Sequence, residues 1–157
     1  MLKELKENEV KALKPLMEYL GTHHNNVSAN FKGFYPRHKD EERIERFEKE
    51  IKNGDSKAFA CYEDNRIVGV IKIDFKGNNG VIDYFVVLEK YQGKGYGKDL
   101  MDKALETFKQ HNIKNIELHV VYGNDAVNFY EKYGFKKQSY IMELNIWFKK
   151  KIIYNDN

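Results

Sequence analysis

The first repeating pattern of apolar residues lies near the start of the chain. Within residues 7–20 the apolar positions are three or four residues apart, a spacing that places them along one side of a helix. These positions are Val10, Leu13, Leu16, Met17 and Leu20. Residues 1–6 are predicted to form a short strand, and Gly21 is predicted to end the helix. Residues 22–39, with polar residues, glycine and three aromatic residues, are predicted to form a loop that packs over another part of the protein.

Three further segments have helical spacing. Residues 40–52 repeat it through isoleucine and phenylalanine, and Asn53-Gly54 closes this helix. Another apolar stripe predicts a helix that ends near His111. Its members are Leu100, Met101, Ala104, Leu105 and Phe108. A short helix is predicted over residues 125–133.

Alternating, β-branched and aromatic residues predict strands between these helices. The first two strands are joined by Asp64-Asn65, a pair that favours a tight hairpin turn, and a second turn falls at residues 77–80. The predicted strands are residues 58–63, 67–75, 81–88 and 113–121, followed by one or two closing strands within residues 134–147.

This order of elements predicts an α/β (α+β) fold, with a single mixed, mostly antiparallel sheet flanked by helices. The length of 157 residues suits one domain, residues 1–157, in which residues 149–157 form a short basic tail. Hydrophobic residues make up 41% and charged residues 32%, a balance typical of soluble globular proteins.

Charge and cysteine content exclude several classes of protein. The net charge of +3 gives no case for a nucleic-acid partner. The single cysteine, Cys61, excludes an internal disulfide framework and a multi-cysteine zinc site. No stretch approaches the roughly 20 apolar residues of a membrane span, and no signal peptide is recognisable, so we expect a cytoplasmic protein with no membrane partner.

The main candidate for chemistry is the glycine-rich turn at residues 92–97, between a predicted strand and a predicted helix. Its main-chain N–H groups and the start of the following helix favour an anionic phosphate. A P-loop is excluded because Asp99 follows Lys98, and the dinucleotide motif fails because Lys98 occupies its last glycine position. The remaining pattern is Q-x-x-G-x-G, met by Gln92, Gly95 and Gly97. An ordinary tight turn is the alternative interpretation.

Two motifs together resemble the GNAT superfamily of acetyl-CoA-dependent N-acetyltransferases. The first is Phe85-Val86-Val87 followed by the glycine-rich turn, and the second is Asn124 with the run A-V-N-F-Y-E-K-Y-G-F at residues 126–135. The motifs cover roughly residues 55–140, and the element order covers the whole chain. The resemblance implies splayed central strands, acetyl-CoA as co-substrate and no metal.

The resemblance also implies which residues bind the cofactor. The main chain of Phe85, Val86 and Val87 would bind the pantetheine arm as an added strand. The remaining residues implied in cofactor binding are Gln92, Gly93, Lys94, Gly95, Tyr96, Gly97, Lys98 and Asn124, with the turn amides on the diphosphate and the two lysines adding charge. Gly123 stands where the family pattern has its asparagine, and Asn124 follows one position later, so this turn departs from the pattern by one residue.

Tyr130 aligns with a tyrosine that in many GNAT members protonates the departing thiolate of coenzyme A. A core tyrosine is the alternative. The attacking amine must lose a proton, and the sequence offers two candidate bases. Asp83 lies two residues before Phe85, which predicts the same face of the strand, and His119 lies on the next strand.

The function that this resemblance implies is transfer of an acetyl group from acetyl-CoA to the primary amine of a small metabolite. The amine would attack directly in a ternary complex, with the oxyanion held near Val87. The alternatives are acetylation of a protein N-terminus or lysine, and a non-catalytic acyl-CoA sensor. The adjacent histidines His23 and His24 lack the other ligands of a metal site. A homodimer is a further expectation.

Overall fold

The computed structural model describes residues 1–147, which fall into two compact units, Met1–Asp125 and the residues from 126 onward. The first unit holds a five-stranded sheet and three α-helices. Its strands are β1 (Leu2–Glu4), β2 (Ser56–Glu63), β3 (Arg66–Lys76), β4 (Asn79–Val87) and β5 (Asn115–Leu118). The helices are α1 (Lys14–Val27), α2 (Asp40–Lys52) and α3 (Tyr96–Gln110), with α4 (Ala126–Lys132) in the second unit and 3₁₀ segments at Glu7–Leu13 and Glu89–Tyr91.

The sheet has the strand order β1-β2-β3-β4-β5, and all neighbouring pairs are antiparallel except β4 and β5, which are parallel. This confirms the predicted fold class. The turn between β2 and β3 consists of Asp64 and Asn65, both with positive φ (48° and 59°), as expected for the hairpin turn that matches strand twist. The predicted tail, residues 149–157, lies outside the described residues.

Helices α1 and α2 pack on one face of the sheet, and α3 packs on the other. On the first face, Leu16, Met17 and Phe47 join alanine and valine residues of β2 and β3 in one buried cluster. On the second face, Phe108 of α3 lies so close to Gly80 that a Cβ there would come within 2.4 Å of its ring. Both faces are therefore covered where β3 and β4 cross the middle of the sheet.

A β-bulge in β4 changes which side chains share a face. Lys72 pairs with Tyr84 and Ile73 pairs with Ile82, so Asp83 is the extra residue. Asp83 accepts a hydrogen bond from the Lys72 side chain, on the face covered by α2, whereas Phe85 pairs with Ile71, the residue before Lys72, on the opposite face. The prediction that Asp83 and Phe85 share a face is wrong, because strict alternation does not survive the bulge.

The first long helix extends beyond its predicted end. Pro15 stands in the first turn of α1, where its missing N–H costs nothing, and the preceding turn is 3₁₀ rather than α. Gly21 does not end α1, which continues to Val27, so residues 22–27 of the predicted loop are helical. Gly21 is buried at a close approach, because a Cβ there would lie 3.4 Å from the Pro36 ring. This glycine serves packing and not termination.

Two predicted strands differ from the structure. Residues 113–121 contain only the short β5, and residues 134–147 contain no strand. The alternating apolar residues from Tyr140 to Trp147 are exposed, and the side chain of Asn145 accepts a hydrogen bond from the Trp147 main chain at 3.0 Å. A segment with alternating apolar residues forms a strand only when a neighbouring strand supplies hydrogen-bond partners for its main chain. The described residues contain no such neighbour for this segment. No helix within residues 1–147 combines the length and apolarity needed to cross a bilayer.

Candidate functional site

The site begins where β4 and β5 part. Their parallel pairing runs from Asn79 opposite Asn115 to Ile82 opposite Leu118 and stops there, while β4 continues to Val87. This is the predicted splay of the central strands. It places the three residues implied in pantetheine binding, Phe85 to Val87, on the part of β4 beyond its paired length with β5.

The glycine-rich turn follows directly and opens α3. Gly93 and Gly95 have φ values of 75° and 93°, a left-handed conformation that side chains other than glycine rarely adopt. Gly95 caps α3, and the first helical hydrogen bond runs from the Asp99 N–H to the Gly95 carbonyl at 3.0 Å. The amides of Tyr96 and Gly97 precede that bond at the positive end of the helix dipole. The turn can therefore bind an anion through its main chain.

Gln92 connects this turn to two other elements. Its side-chain amide donates to the Val87 carbonyl at 2.8 Å, the last residue of β4, and to the Tyr19 hydroxyl of α1 at 3.4 Å. The glutamine thereby fixes the path of the chain between β4 and the glycines. Its assignment to cofactor binding remains a prediction, and the structure adds this positioning contact.

The polar side chains of the turn already have partners. Lys98 forms an ion pair with Asp102 at 2.6 Å, and Lys94 lies over the Tyr91 ring at 5.2 Å. The Tyr96 hydroxyl donates to Glu63 at 2.6 Å, and this bond raises the pKa of Tyr96 to about 12. On binding a phosphate, Lys98 would lose its ion pair with Asp102. This loss limits the net contribution of Lys98 to the free energy of phosphate binding.

Asp83, one of the two candidate bases, lies in a buried ion-pair network centred on Lys72. The fully buried Lys72 ammonium lies 2.6 Å from Glu50, 2.6 Å from Asp74 and 2.9 Å from Asp83, and Arg46 also contacts Asp83 at 3.1 Å. Burial alone would raise the pKa of Asp83, but the two cations outweigh it and hold the pKa below its ordinary value. A carboxylate of this kind is a weak acceptor for the proton of an amine.

The same network resembles a metal site in outline only. Carboxylate oxygens of Glu50, Asp74 and Asp83 lie within 4.8 Å of one another. The Lys72 ammonium contacts all three, so it holds the place that a cation would take. Asp74 also accepts a hydrogen bond from Ser56 at 2.6 Å. This arrangement stabilises the β4 bulge against α2.

The segment after β5 contains the second candidate base, His119. It also contains Gly123, which stands at the position of the asparagine in the family pattern. His119 is exposed and follows the last residue of β5. Gly123 has a φ of 101°, and a Cβ there would lie 2.3 Å from the Val27 carbonyl oxygen. Ala29 donates its N–H to the Tyr122 carbonyl at 2.9 Å, which fixes this close approach to the end of α1. The backbone explains why glycine, and not asparagine, occupies position 123.

Replacing Gly123 by alanine is expected to lower the free energy of unfolding by about 2 to 4 kcal/mol, from backbone strain and the contact with Val27 together. Chemical denaturation followed by circular dichroism measures this change. Gly54→Ala is the matched control, because Gly54 also has a positive φ (79°) but nothing within 4 Å of a Cβ. The control should lose about 1 kcal/mol through strain alone. Equal losses in the two variants would contradict the close-approach explanation.

Tyr130 belongs to α4 of the second unit. Its ring meets those of Phe129 and Phe135 edge to face, at 5.7 and 6.0 Å, and its carbonyl accepts the N–H groups of Tyr133 and Phe135. Burial raises the pKa of Tyr130 to about 12. The phenol therefore keeps its proton at neutral pH, as a proton donor to a thiolate must.

A polar and aromatic wall lies along the end of α1, in a segment that the sequence pattern predicted to be a loop. The rings of Tyr19 and His23 stack at 6.0 Å, and His24 meets Tyr35 edge to face at 5.2 Å. The Asn25 side chain accepts a hydrogen bond from the Tyr35 N–H and donates one to the Tyr35 carbonyl, which fixes the main chain of Tyr35 beside α1. Burial first, then the charges of His23 and Arg43, lower the pKa of His24 to about 4.

The helical spacing of α1 continues through this wall, from Leu20 to the histidines and Val27. This continued helical spacing is the sequence signal that favours a helix over a loop for these residues. Glycine commonly follows the last residue of a helix, so Gly21 masks this signal in the sequence.

Comparison with known protein families gives a match over most of the chain. Residues 9–145 match the family described as Acetyltransferase (GNAT) domain. One curated relative is the [ribosomal protein bS18]-alanine N-acetyltransferase of Haemophilus influenzae, 31% identical over 75 residues, which are 48% of this chain and 51% of that protein. The chain covers between 51% and 58% of the length of three curated relatives that it matches.

Solved structures share the fold. A protein from Clostridium acetobutylicum, described as a predicted acetyltransferase and crystallised with acetyl-CoA, superposes with a TM-score of 0.72 at 19% identity, over 94% of this chain and 96% of that one. An aminoglycoside acetyltransferase from an uncultured soil metagenomic sample, in complex with sisomicin, gives a TM-score of 0.67 at 15% identity, over 93% and 95% of the two chains. At these identities the similarity establishes the fold alone.

Proposed function

Since the chain belongs to the GNAT acetyltransferase domain family, we propose that it transfers an acetyl group from acetyl-CoA to the primary amine of a small molecule. The observation that carries this proposal is the strand β4, which continues past its pairing with β5 and leads into the glycine turn at the start of α3. A strand extension suits an amide-containing arm, and the turn suits a diphosphate. Acetyl-CoA carries both groups in that order.

The proposed reaction is a direct transfer. The neutral amine attacks the thioester carbonyl carbon, a C–N bond forms, and a main-chain N–H near Val87 stabilises the oxyanion. The C–S bond then breaks, and the thiolate takes the proton of the Tyr130 hydroxyl. Because the pKa of Tyr130 is raised to about 12, the phenol is in the protonated form that this step requires.

The proton that leaves the amine needs a different acceptor. Lys72 and Arg46 hold Asp83 as a carboxylate of lowered pKa, so it is poorly suited to this step. We assign the role of base to His119, whose imidazole is exposed at the end of β5. Asp83 then acts as a structural partner of Lys72.

Binding of acetyl-CoA tests the proposal at its first step. Isothermal titration calorimetry should show saturable heat for acetyl-CoA and none for ATP with magnesium, because the turn lacks the hydroxyl that holds magnesium in a P-loop. Binding of ATP in place of acetyl-CoA would contradict the cofactor assignment. Free-thiol release from acetyl-CoA with a panel of small primary amines then tests transfer, and tight binding with no amine acetylated would favour a sensor.

A further inference from the structure

Two buried side-chain polar atoms lack a hydrogen-bond partner within residues 1–147, and both belong to one region of the first unit. They are the hydroxyl of Tyr84 on β4 and Oδ1 of Asp40 at the start of α2. Tyr84 is only 6% exposed. A buried polar atom without a partner destabilises a fold, so such atoms are normally satisfied by water or by a ligand.

The two atoms lie along one side of α2. Asp40, Arg43 and Phe47 follow one another at helical spacing, and the Phe47 ring meets Tyr84 edge to face at 5.5 Å. The Arg43 guanidinium lies over the Tyr84 ring at 5.9 Å. Burial mainly raises the pKa of Tyr84, with smaller opposing effects from Arg43 and Asp40, so the hydroxyl keeps its proton.

This cluster adjoins the part of β4 assigned to the cofactor. Tyr84 stands three residues before Val87, beyond the last residue of β4 that pairs with β5. The wall of α1 lies on the same side, since the charge of Arg43 acts on His24 as well as on Tyr84. An acceptor molecule bound between α1, α2 and this part of β4 would meet both unpartnered atoms.

The chemistry of the cluster selects an uncharged group. An ammonium offers no acceptor to the Tyr84 hydroxyl, and a carboxylate offers no donor to the Asp40 oxygen. A hydrocarbon would leave Tyr84 and Asp40 unsatisfied. A carboxamide supplies an N–H for the Asp40 oxygen and a carbonyl for the Tyr84 hydroxyl in one rigid unit.

We propose that Asp40 and Tyr84 form an acceptor subsite for an amide next to the reacting amine, so that the acceptors are α-amino amides. This subsite deepens, and rests on, the acetyl transfer proposed above. The amide N–H donates to Asp40 Oδ1, and the amide carbonyl accepts from the Tyr84 hydroxyl. The same chemistry is present in a free amino-acid amide and in the first residue of a peptide.

Three small probes of nearly equal shape test the subsite. They are alaninamide, alanine and 3-methylbutan-2-amine, in which the amide is kept, replaced by a carboxylate or replaced by a branched hydrocarbon. Each is titrated into the full chain saturated with coenzyme A, and binding is measured by NMR chemical-shift changes. Alaninamide should bind about tenfold more tightly than either of the others, because only it satisfies both protein groups.

Variants connect the preference to the named residues. Tyr84→Phe should reduce alaninamide affinity about fivefold to tenfold and leave acetyl-CoA affinity unchanged, because only the hydroxyl is lost. Tyr62→Phe, at a half-buried tyrosine of β2, is the matched control and should change neither affinity. Equal binding of the three probes, or full alaninamide affinity in Tyr84→Phe, would contradict the proposed subsite. The two polar atoms would then be satisfied by water.

The readouts separate this subsite from the proposed function. Alaninamide binding that depends on Tyr84, without acetylation of any amine, would support the subsite and reject the transfer. Acetylation of the probes with equal KM values would support the transfer and reject the subsite. A tripeptide that begins with alanine distinguishes the two sources of the amide. A KM lower than that of alaninamide identifies a peptide N-terminus as the acceptor, and a higher KM identifies a small amide. Both outcomes support the subsite.

Discussion

Tyr130→Phe is expected to lower kcat about 100-fold or more and to leave the dissociation constant of acetyl-CoA unchanged, because the variant loses a proton donor and keeps the ring. The reason is the leaving group: a thiolate departs more easily when a phenol neutralises its charge. Steady-state kinetics with an accepted amine and calorimetry with acetyl-CoA measure the two quantities. A variant with full kcat would remove Tyr130 from the mechanism.

Tyr133→Phe is the matched control, because Tyr133 lies in the same aromatic group, 5.2 Å from the Phe129 ring. It should keep nearly all activity. Since the pKa of Tyr130 is raised to about 12, the wild-type rate should show no loss from ionisation of the acid up to pH 9. His119→Ala should lower kcat/KM at pH 7 and leave the dissociation constant of acetyl-CoA unchanged, because the variant loses the proposed acceptor of the amine proton.

Lys72→Met is expected to lower the free energy of unfolding by about 3 to 5 kcal/mol, because removal of one partner of a buried ion pair leaves uncompensated charge. Glu50, Asp74 and Asp83 would face one another without the ammonium that now lies within 3 Å of all three. Urea denaturation at pH 7 measures the loss. A loss below about 1 kcal/mol, the range of exposed pairs, would contradict a central role for this network.

Lys57→Met provides the matched control. Lys57 lies on the neighbouring strand β2 and pairs at 2.9 Å with the exposed Glu4, so its loss should cost less than about 1 kcal/mol. In the double variant Lys72→Met with Asp83→Asn, one carboxylate is removed with the cation. It should be more stable than Lys72→Met alone, because less unpaired charge is buried.

Lys72→Met should change how the free energy of unfolding depends on pH. In the wild type, Asp83 has a lowered pKa, so its contribution to stability is present above its ordinary pKa of 3.8 and is lost as the pH falls through the lowered value. Lys72 has a raised pKa, so its contribution is present below 10.5 and is lost as the pH rises through the raised value. Without Lys72, protonation of the carboxylates relieves repulsion, and stability should rise from pH 7 to pH 5.

Local patterns in the sequence were enough to predict most of the fold. The helix over residues 40–52, the hairpin at Asp64-Asn65 and the helix that follows the glycine turn were predicted and confirmed. Each depends on interactions between residues close in the chain: apolar spacing, turn conformation and helix capping. The same local chemistry predicts an anion site at the glycine turn.

The predictions that failed concern residues whose structure depends on contacts with residues distant in sequence, which the local pattern does not contain. Gly21 lies inside α1, where Pro36 packs against it, and the part of the chain that the structure describes supplies no partner strand for residues 134–147. The bulge at Asp83 moved a candidate base into the ion-pair network of Lys72. None of these partners can be read from the neighbouring residues.

The sequence by itself determined the glycine turn to which we assign the cofactor, because such a turn is made by consecutive residues whose backbone conformation depends on glycine. Only the tertiary structure brought Tyr84 of β4 beside Asp40 and Arg43 of α2 and isolated two polar atoms there. Recognition of an acceptor depends on side chains from separate elements, and their positions are set by packing across the sheet. The proposed site for the acetyl donor is thus determined by consecutive residues, whereas the proposed site for the acceptor is determined by the tertiary fold.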